Sequence, residues 1–424
     1  MKQGFLIALI CTYYFLAFGQ TTKLKQRDKS DTVFLSKLME KYPQYFKEIL
    51  LQKDSLNVQI VYTQINRDKN NKASFREFHF NLHDQHYFYP ASTVKMPIAF
   101  LALEKLQELK IKGLDKNTTM VTDSSYNGQT IAYTQPNSAD SRATIENYVK
   151  QIFLVSSNDA FNKLYEFLGQ EYIQNKLAEK GYPDIIIKHR LDVFLTKEQN
   201  KATNPISFYD STDQIVYQQP AQYSNAIFPT MNVHLGKGYF KNGELVNQPF
   251  DFSEKNRVYL QDQHHLLQSV LFPEAFKSKQ RFNLNPSDQS LLKKTMSAFP
   301  RESDFPFYDT ANYHDAYCKF LLYGSEKGTL PTSVRIFNKV GDAYGFLTDI
   351  AYLVDFENKV EFLLSATISC NSDGVYNDDK YDYEKIGYPF MKHLGEVILE
   401  YERHRQKKIS PDLSIFMTKN ASSY

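Results

Sequence analysis

The chain has no tryptophan, only three cysteines among its 424 residues and almost no net charge. Three cysteines cannot build a disulfide-dense scaffold or a four-cysteine zinc site. Lys and Arg total 50 against 48 Asp and Glu, a balance of +2, which gives no electrostatic case for nucleic-acid binding. Long apolar runs are scarce too: past the first twenty residues no window is apolar enough to span a membrane. The 30 Tyr and 32 Phe that stand in for tryptophan say little about function. Hydrophobic residues at 42% and charged residues at 23% are the proportions of a globular chain with a large core. The length suits two to three domain-sized units or one large interleaved domain.

The single apolar run, Gly4 to Gly19, follows a weakly basic start and ends in polar sequence, with Ala17 and Gly19 at the −3 and −1 positions of a cleavage site. This pattern reads as a secretory signal peptide over 1–19, then a polar tether over 20–31. The run is short for a spanning helix, which needs about 20 apolar residues. The expectation is an exported protein, periplasmic or secreted, keeping Cys318 and Cys370 and room for one disulfide.

Helical spacing over 32–52 is interrupted by Pro43, and Asn57–Ile65 and Glu77–Leu82 alternate like strands. Pro97–Leu109, Ile145–Val155 and Ala160–Leu168 read as helices, with Pro97 tolerable only in a first turn. Residues 190–205 look like an irregular loop, and 219–261, with Asn242-Gly243, like a hairpin-bearing insertion. Helical spacing returns at 263–271 and 287–298. Strand signals follow at 333–340, 345–354 and 359–368, then a helix over 384–405. The early and late strands have no other partners, so they share one antiparallel sheet. The domain order expected is a sheet lobe from 32–92 and 330–405, a helical lobe from 93–329 and a poorly ordered tail over 406–424. There is no internal repeat.

Three segments carry chemistry. Ser92 and Lys95 sit i, i+3 at a predicted strand-to-helix junction, so hydroxyl and amine share a face. A buried lysine of lowered pKa can take the serine proton, and the N–H groups of a helix start favour an oxyanion. Helix capping by serine is the plainer reading of this segment alone. Ser156 and Asn158, two apart at a loop-to-helix junction, can supply a proton relay and an amide, while the plainer reading is helix capping by Ser157 or Asn158. Lys339, Gly341 and Asp342 end a predicted strand, where Lys339 adds a fixed cation and Gly341 lets another backbone come close. The histidines His79, His83 and His86 have metal-like spacing, but no carboxylate set completes a zinc site, and His264-His265 reads as surface.

Taken in order in one chain, the segments Ser92-Thr93-Val94-Lys95, Ser156-Ser157-Asn158 and Lys339-Val340-Gly341 resemble the S-x-x-K, S-D-N and K-T-G set of the class A β-lactamase-like serine hydrolases, which includes relatives of the penicillin-binding proteins. The resemblance spans about residues 32–405. It implies an α/β (α+β sandwich) fold of the β-lactamase/transpeptidase type: an antiparallel sheet with flanking helices beside an inserted all-helical lobe. It also implies roles. Ser92 is the acylated nucleophile and Lys95 its proton acceptor. Ser156 protonates the leaving nitrogen. Asn158 holds the substrate amide and Lys95, while Lys339 and Gly341 help bind substrate. The backbone N–H groups of Ser92 and Asp342 form the oxyanion hole.

The chain departs from that pattern at Ser157, where the family has Asp, at Val340, which lacks the Thr hydroxyl, and at 346–350, which hold no Arg. Arg190-Leu191-Asp192 resembles the start of the family's omega loop and Asn204-Pro205 its close. The place of the loop's deacylating Glu then falls on Leu195, and Glu198 is the nearest substitute. The functional expectation is an exported β-lactamase-like hydrolase that acts on a small-molecule β-lactam or a cell-wall peptide, with no metal, no cofactor, no nucleic-acid partner and no integral membrane domain once the signal is cleaved. The alternatives are a cell-wall D-Ala peptidase or other amide or ester hydrolase, and a catalytically weak penicillin- or wall-binding protein.

Overall fold

A computed structural model describes residues 32–82, 86–125, 129–136 and 138–417. The signal peptide and tether, His83 and the chain after 417 lie outside the described residues.

Pro43 does not kink one helix; it opens a second. Helix α1 (Thr32–Glu40) ends at a turn, and α2 (Pro43–Leu51) starts with the proline in its first turn, where its missing N–H costs nothing. Strands β1 (Gln59–Arg67) and β2 (Ala73–Phe80) follow as a hairpin. A 3₁₀ turn over Ala91–Val94 leads into α3 (Lys95–Leu109), which is buried nearly all round and forms the axis of the next lobe. Packed about it are α4 (Ile145–Val155), α5 (Asn158–Leu168) and α6 (Gln170–Glu179).

That lobe is helical at its core, but its rim is not. Short strands β3 (Thr119–Thr122), β5 (Ile206–Tyr209) and β6 (Ile215–Gln219) form a small sheet, and β4 (Ala202–Thr203) pairs with β7 (Gln222–Tyr223). The 190–205 stretch is also not wholly irregular, because Thr196 and Gln199 close a capping box on a helical turn, α7 (Lys197–Lys201). The expected insertion holds β8 (His234–Leu235), β9 (Gly238–Lys241), β10 (Glu244–Val246) and β11 (Phe250–Asp251). Asn242 and Gly243, both at positive φ, make the tight β9–β10 turn.

Helices α8 (Leu260–Leu271) and α9 (Pro286–Ser297) return the chain to strands β12 (Val334–Ala343), β13 (Phe346–Asp355) and β14 (Val360–Ser369). The short β15 (Val375–Tyr376) runs parallel to β9, and α10 (Tyr388–His404) closes the fold. The main sheet runs β12-β13-β14-β1-β2, antiparallel throughout, so both ends of the described chain build it. Strand β13 is buried along its length. Leu347, Ala351 and Leu353 share one apolar cluster with α1, α2 and α10, while Phe346, Ile350, Tyr352 and Val354 share another with α8 and the helical lobe. That is the period-two division of a sheet covered on both faces.

The tail is a correction. Its described part, 406–417, does not fray but docks: Phe416 packs 4.8 Å from the Tyr352 ring and 5.6 Å from Phe337, and Asn71 exchanges two hydrogen bonds with the Asp412 backbone. Leu413 and Phe416 both enter the core, and with the Asn71 bonds they offset part of the cost of ordering the segment. Cys318 and Cys370 are buried free thiols, so the possible disulfide is not formed. Among the described residues no helix is long and apolar enough to cross a membrane.

Candidate active site

The turn that carries Ser92 is held from three sides. Thr93 bonds back to the Pro90 carbonyl through its N–H (3.0 Å) and its hydroxyl (2.7 Å). Ala91 takes φ +46°, a left-handed conformation that costs a non-glycine residue about 1 kcal/mol or more and persists only where packing enforces it. Strand β12 presses on the turn at Gly341: a Cβ there would lie 2.7 Å from Pro90 O, 2.9 Å from Thr93 N and 3.0 Å from Ser92 N. Glycine is therefore required by the close approach, which sets the Ser92 and Asp342 backbones side by side.

Lys95 follows one turn on, fully buried. Its Nζ lies 2.8 Å from Ser92 Oγ, 2.7 Å from Asn158 Oδ1 and 3.2 Å from Ser156 Oγ, and it also bonds the Ser156 carbonyl. Ser156 ends α4 in a left-handed conformation that turns its carbonyl and hydroxyl to Lys95. Ser157 then caps α5 by accepting from Ala160 N at 3.2 Å. The capping and site readings of this segment divide between neighbours: Ser157 caps, which leaves the Asn158 amide free for Lys95. From β12, Lys339 Nζ donates to Ser156 Oγ at 2.9 Å and to Val340 O at 2.8 Å. Segments some 60 and 180 residues apart thus meet at one hydroxyl.

Burial pushes the Lys95 pKa well below the usual lysine value, and the Lys339 charge lowers it further. Burial lowers Lys339 as well. A neutral amine beside Ser92 is a proton acceptor.

Two chambers open on either side of Ser92, of about 460 Å³ and 380 Å³. Ser92, Asn158 and Asp342 line both. Ser156 and Val340 line only the second, with Lys327 and Glu384 at its margin. The first is walled by Tyr89, Tyr344, Tyr381 and Tyr383. Tyr344 stands in the two-residue β12–β13 turn with Gly345, both at positive φ, and rests on Phe250 and Phe252 of the insertion, with ring centres 5.6 and 5.4 Å apart. The insertion therefore buttresses one wall of the cleft.

Glu198 is not at the site. It lies exposed on α7, bonded to Lys201 Nζ (3.0 Å) and the Tyr223 hydroxyl, and lines neither chamber. The capping box that starts α7 turns it outward. Leu195 lines a different cavity. The carboxylate this loop does send to the cleft is Asp192, at φ +55°, with Oδ2 3.4 Å from Asn158 Nδ2. The loop is anchored beneath it: buried Arg190 pairs with Glu166 (Nε to Oε1 2.7 Å), and Asn162 and Leu191 exchange two bonds of 2.9 Å. The available signal was an acid immediately after the anchor pair Arg190-Leu191. The tyrosine wall was also missed, since its members come from three separate segments. His79 and His265 both bond Glu77 at 2.6 Å, and His264 is buried between Thr63 and Ser365. Among the described residues no three ligand-type side chains are placed to hold a metal ion.

The sequence model of the family described as Beta-lactamase enzyme family matches residues 42–226, less than half the chain. That stretch holds the Ser92 and Ser156 segments and stops short of Lys339. No curated protein matches. Among solved structures the chain is similar to a β-lactamase from Sphaerobacter thermophilus (11% identity, TM-score 0.47, 86% of this chain and 98% of that one). It is similar also to a class A β-lactamase from Clostridium kluyveri (15%, 0.47, 84% and 98%) and to the protein PBP-A (16%, 0.46, 87% and 96%). The stretch that carries Ser92 and Ser156 is thus similar to the β-lactamase enzyme family, and the observed architecture, an antiparallel sheet built from both ends of the described chain beside a helical lobe, is the one that the resemblance read from the sequence implies.

Proposed function

We propose that this chain is an exported serine hydrolase that cleaves an amide, most simply a β-lactam, through a Ser92 acyl-enzyme. The observation that carries the reading is the buried Lys95 amine 2.8 Å from Ser92 Oγ, inside a cage of Ser156, Asn158 and Lys339. Lys95 takes the Ser92 proton as Oγ bonds to the carbonyl carbon, and the resulting oxyanion sits against the Ser92 and Asp342 N–H groups. The C–N bond then breaks, with the Ser156 proton passing to the nitrogen and a lysine proton replacing it. Asp192, in place of Glu198, takes a proton from the water that hydrolyses the ester, and that proton passes on to Ser92 Oγ as the ester bond breaks. Export rests on the sequence pattern of residues 1–19.

Val340, with no hydroxyl for a substrate carboxylate, favours the second reading, a cell-wall peptide hydrolase that β-lactams acylate without fast release. The test follows intact mass and turnover with a penicillin and a chromogenic cephalosporin, beside Ser92→Ala. Ser92-dependent turnover supports a β-lactamase, and a persistent Ser92 adduct supports the peptidase. Neither adduct nor turnover sinks both and leaves a binding protein.

A further inference from the structure

Resting on that reading of Ser92, we propose that the acyl group accepted by this enzyme is cationic, an ammonium or guanidinium on a flexible stem. The group that protonates a leaving nitrogen must face it. Ser156 lines the second chamber and not the first, so the leaving group occupies the second and the acyl group the first.

The first chamber is built for positive charge. Asp192, Asp342 and Asp379 line it, and its described lining contains no Lys, Arg or His. Neither Asp342 nor Asp379 forms an ion pair among the described residues, and both side chains reach solvent. Tyr89, Tyr344, Tyr381 and Tyr383 add ring faces and edges, the surroundings in which a cation over an aromatic ring is favourable.

The cations near enough to cancel this field are spent elsewhere. Lys95 and Lys339 are buried around Ser156, bonded to Ser92, Ser156, Asn158 and Val340, and neither lines this chamber. Lys255, which donates to the Tyr344 hydroxyl at 3.2 Å, lines a neighbouring cavity and not this one. An anionic acyl group entering the chamber meets three aspartates and no cation in the lining, which selects against it.

The test compares p-nitrophenyl esters of Nα-acetyl-lysine, Nα-acetyl-norleucine and Nα-acetyl-glutamate, whose unbranched side chains end in a cation, a methyl and an anion. In each, the Ser92 Oγ–acyl bond forms, the bond to nitrophenolate breaks, and the Ser92 proton goes to Lys95. Rates are corrected with Ser92→Ala. The lysine ester should exceed the norleucine ester in kcat/KM by about tenfold, the scale of two part-solvated ion pairs, with the glutamate ester slowest. Asp342→Asn and Asp379→Asn should each pull the lysine-to-norleucine ratio toward one, and salt should do the same. Ser92-dependent cleavage of all three without a lysine preference, or a preference that survives both substitutions, overturns the inference and leaves the hydrolase reading standing. No Ser92-dependent cleavage of any ester overturns both.

Discussion

The contact between Gly341 and the serine turn offers the sharpest test of how the nucleophile is positioned. In Gly341→Ala the new methyl would sit 2.7 Å from Pro90 O and 2.9 Å from Thr93 N, against about 3.5 Å for an unstrained contact. These are backbone atoms, so no side chain can swing aside. The turn must retreat from β12 by somewhat under an ångström. Overpacking of this kind costs about 1–3 kcal/mol of stability. A shift near 1 Å at a reacting atom costs about 10²-fold in rate. The expected result is a Tm lowered by several degrees and Ser92 acylation by a penicillin slowed about 100-fold, read by time-resolved intact mass. Gly328→Ala, where a Cβ meets nothing within 4 Å, is the control and should change neither. A Gly341→Ala protein that acylates at the parent rate would show that the close approach does not position Ser92. A lowered Tm with normal acylation would make the contact purely structural.

Asp192→Asn should let the Ser92 ester accumulate, with deacylation slowed about 10²–10⁴-fold, while Glu198→Gln leaves release unchanged; the reverse pattern would return the base to α7. Lys339→Met removes the like charge that helps hold Lys95 low, so the limb on which acylation rises with pH should move to higher pH, whatever the loss in absolute rate. A limb that stays in place would mean burial alone sets Lys95. His264, buried between two hydroxyls, has its pKa lowered to about 3. Its stabilising contribution is present above the unfolded value of about 6.5 and is lost as pH falls toward 3, at about 1.4 kcal/mol per pH unit. In His264→Gln, chemical denaturation across that window should lose this slope.

Much of the architecture was legible because its signals are local. The bounds of α4 match those read from the sequence, since Thr144 and the left-handed Ser156 mark its ends. The three late strands carry a strong apolar pattern, and their pairing with the early strands followed from having no other partners. The omega-like loop was misread because a count along the sequence assumes a conserved path. Here the capping box of Thr196 and Gln199 turns Glu198 outward, and a left-handed Asp192 moves the carboxylate three residues nearer the anchor. The tail was misjudged for a different reason. The apolar stretch around Phe416, Leu413 to Met417, is too short to signal an element by itself, and the groove that receives it is made by Phe337 and Tyr352, cross-strand partners on β12 and β13 far earlier in the chain. The tyrosine wall is likewise a product of topology, invisible until the β12–β13 turn brings Tyr344 against Tyr89 at 5.0 Å.

The cage around Lys95 also constrains the proton inventory. Charged, Lys95 has three N–H bonds, and Ser92 Oγ, Asn158 Oδ1 and the Ser156 carbonyl take all of them. In that state it has no lone pair and cannot accept from Ser92. Neutral, it keeps two donors for the carbonyl and the amide oxygen and aims its lone pair at the Ser92 hydroxyl. The same three partners therefore fit either state, and the balance is set by what surrounds them: burial and the neighbouring Lys339, both of which favour the neutral amine. Lys339 meanwhile donates to Ser156 Oγ, so that hydroxyl's own proton remains for the leaving group. On the proposed reaction, one buried pair of lysines thus prepares a base on one side of the serine and an acid on the other, without a carboxylate among the described residues bonded to either amine.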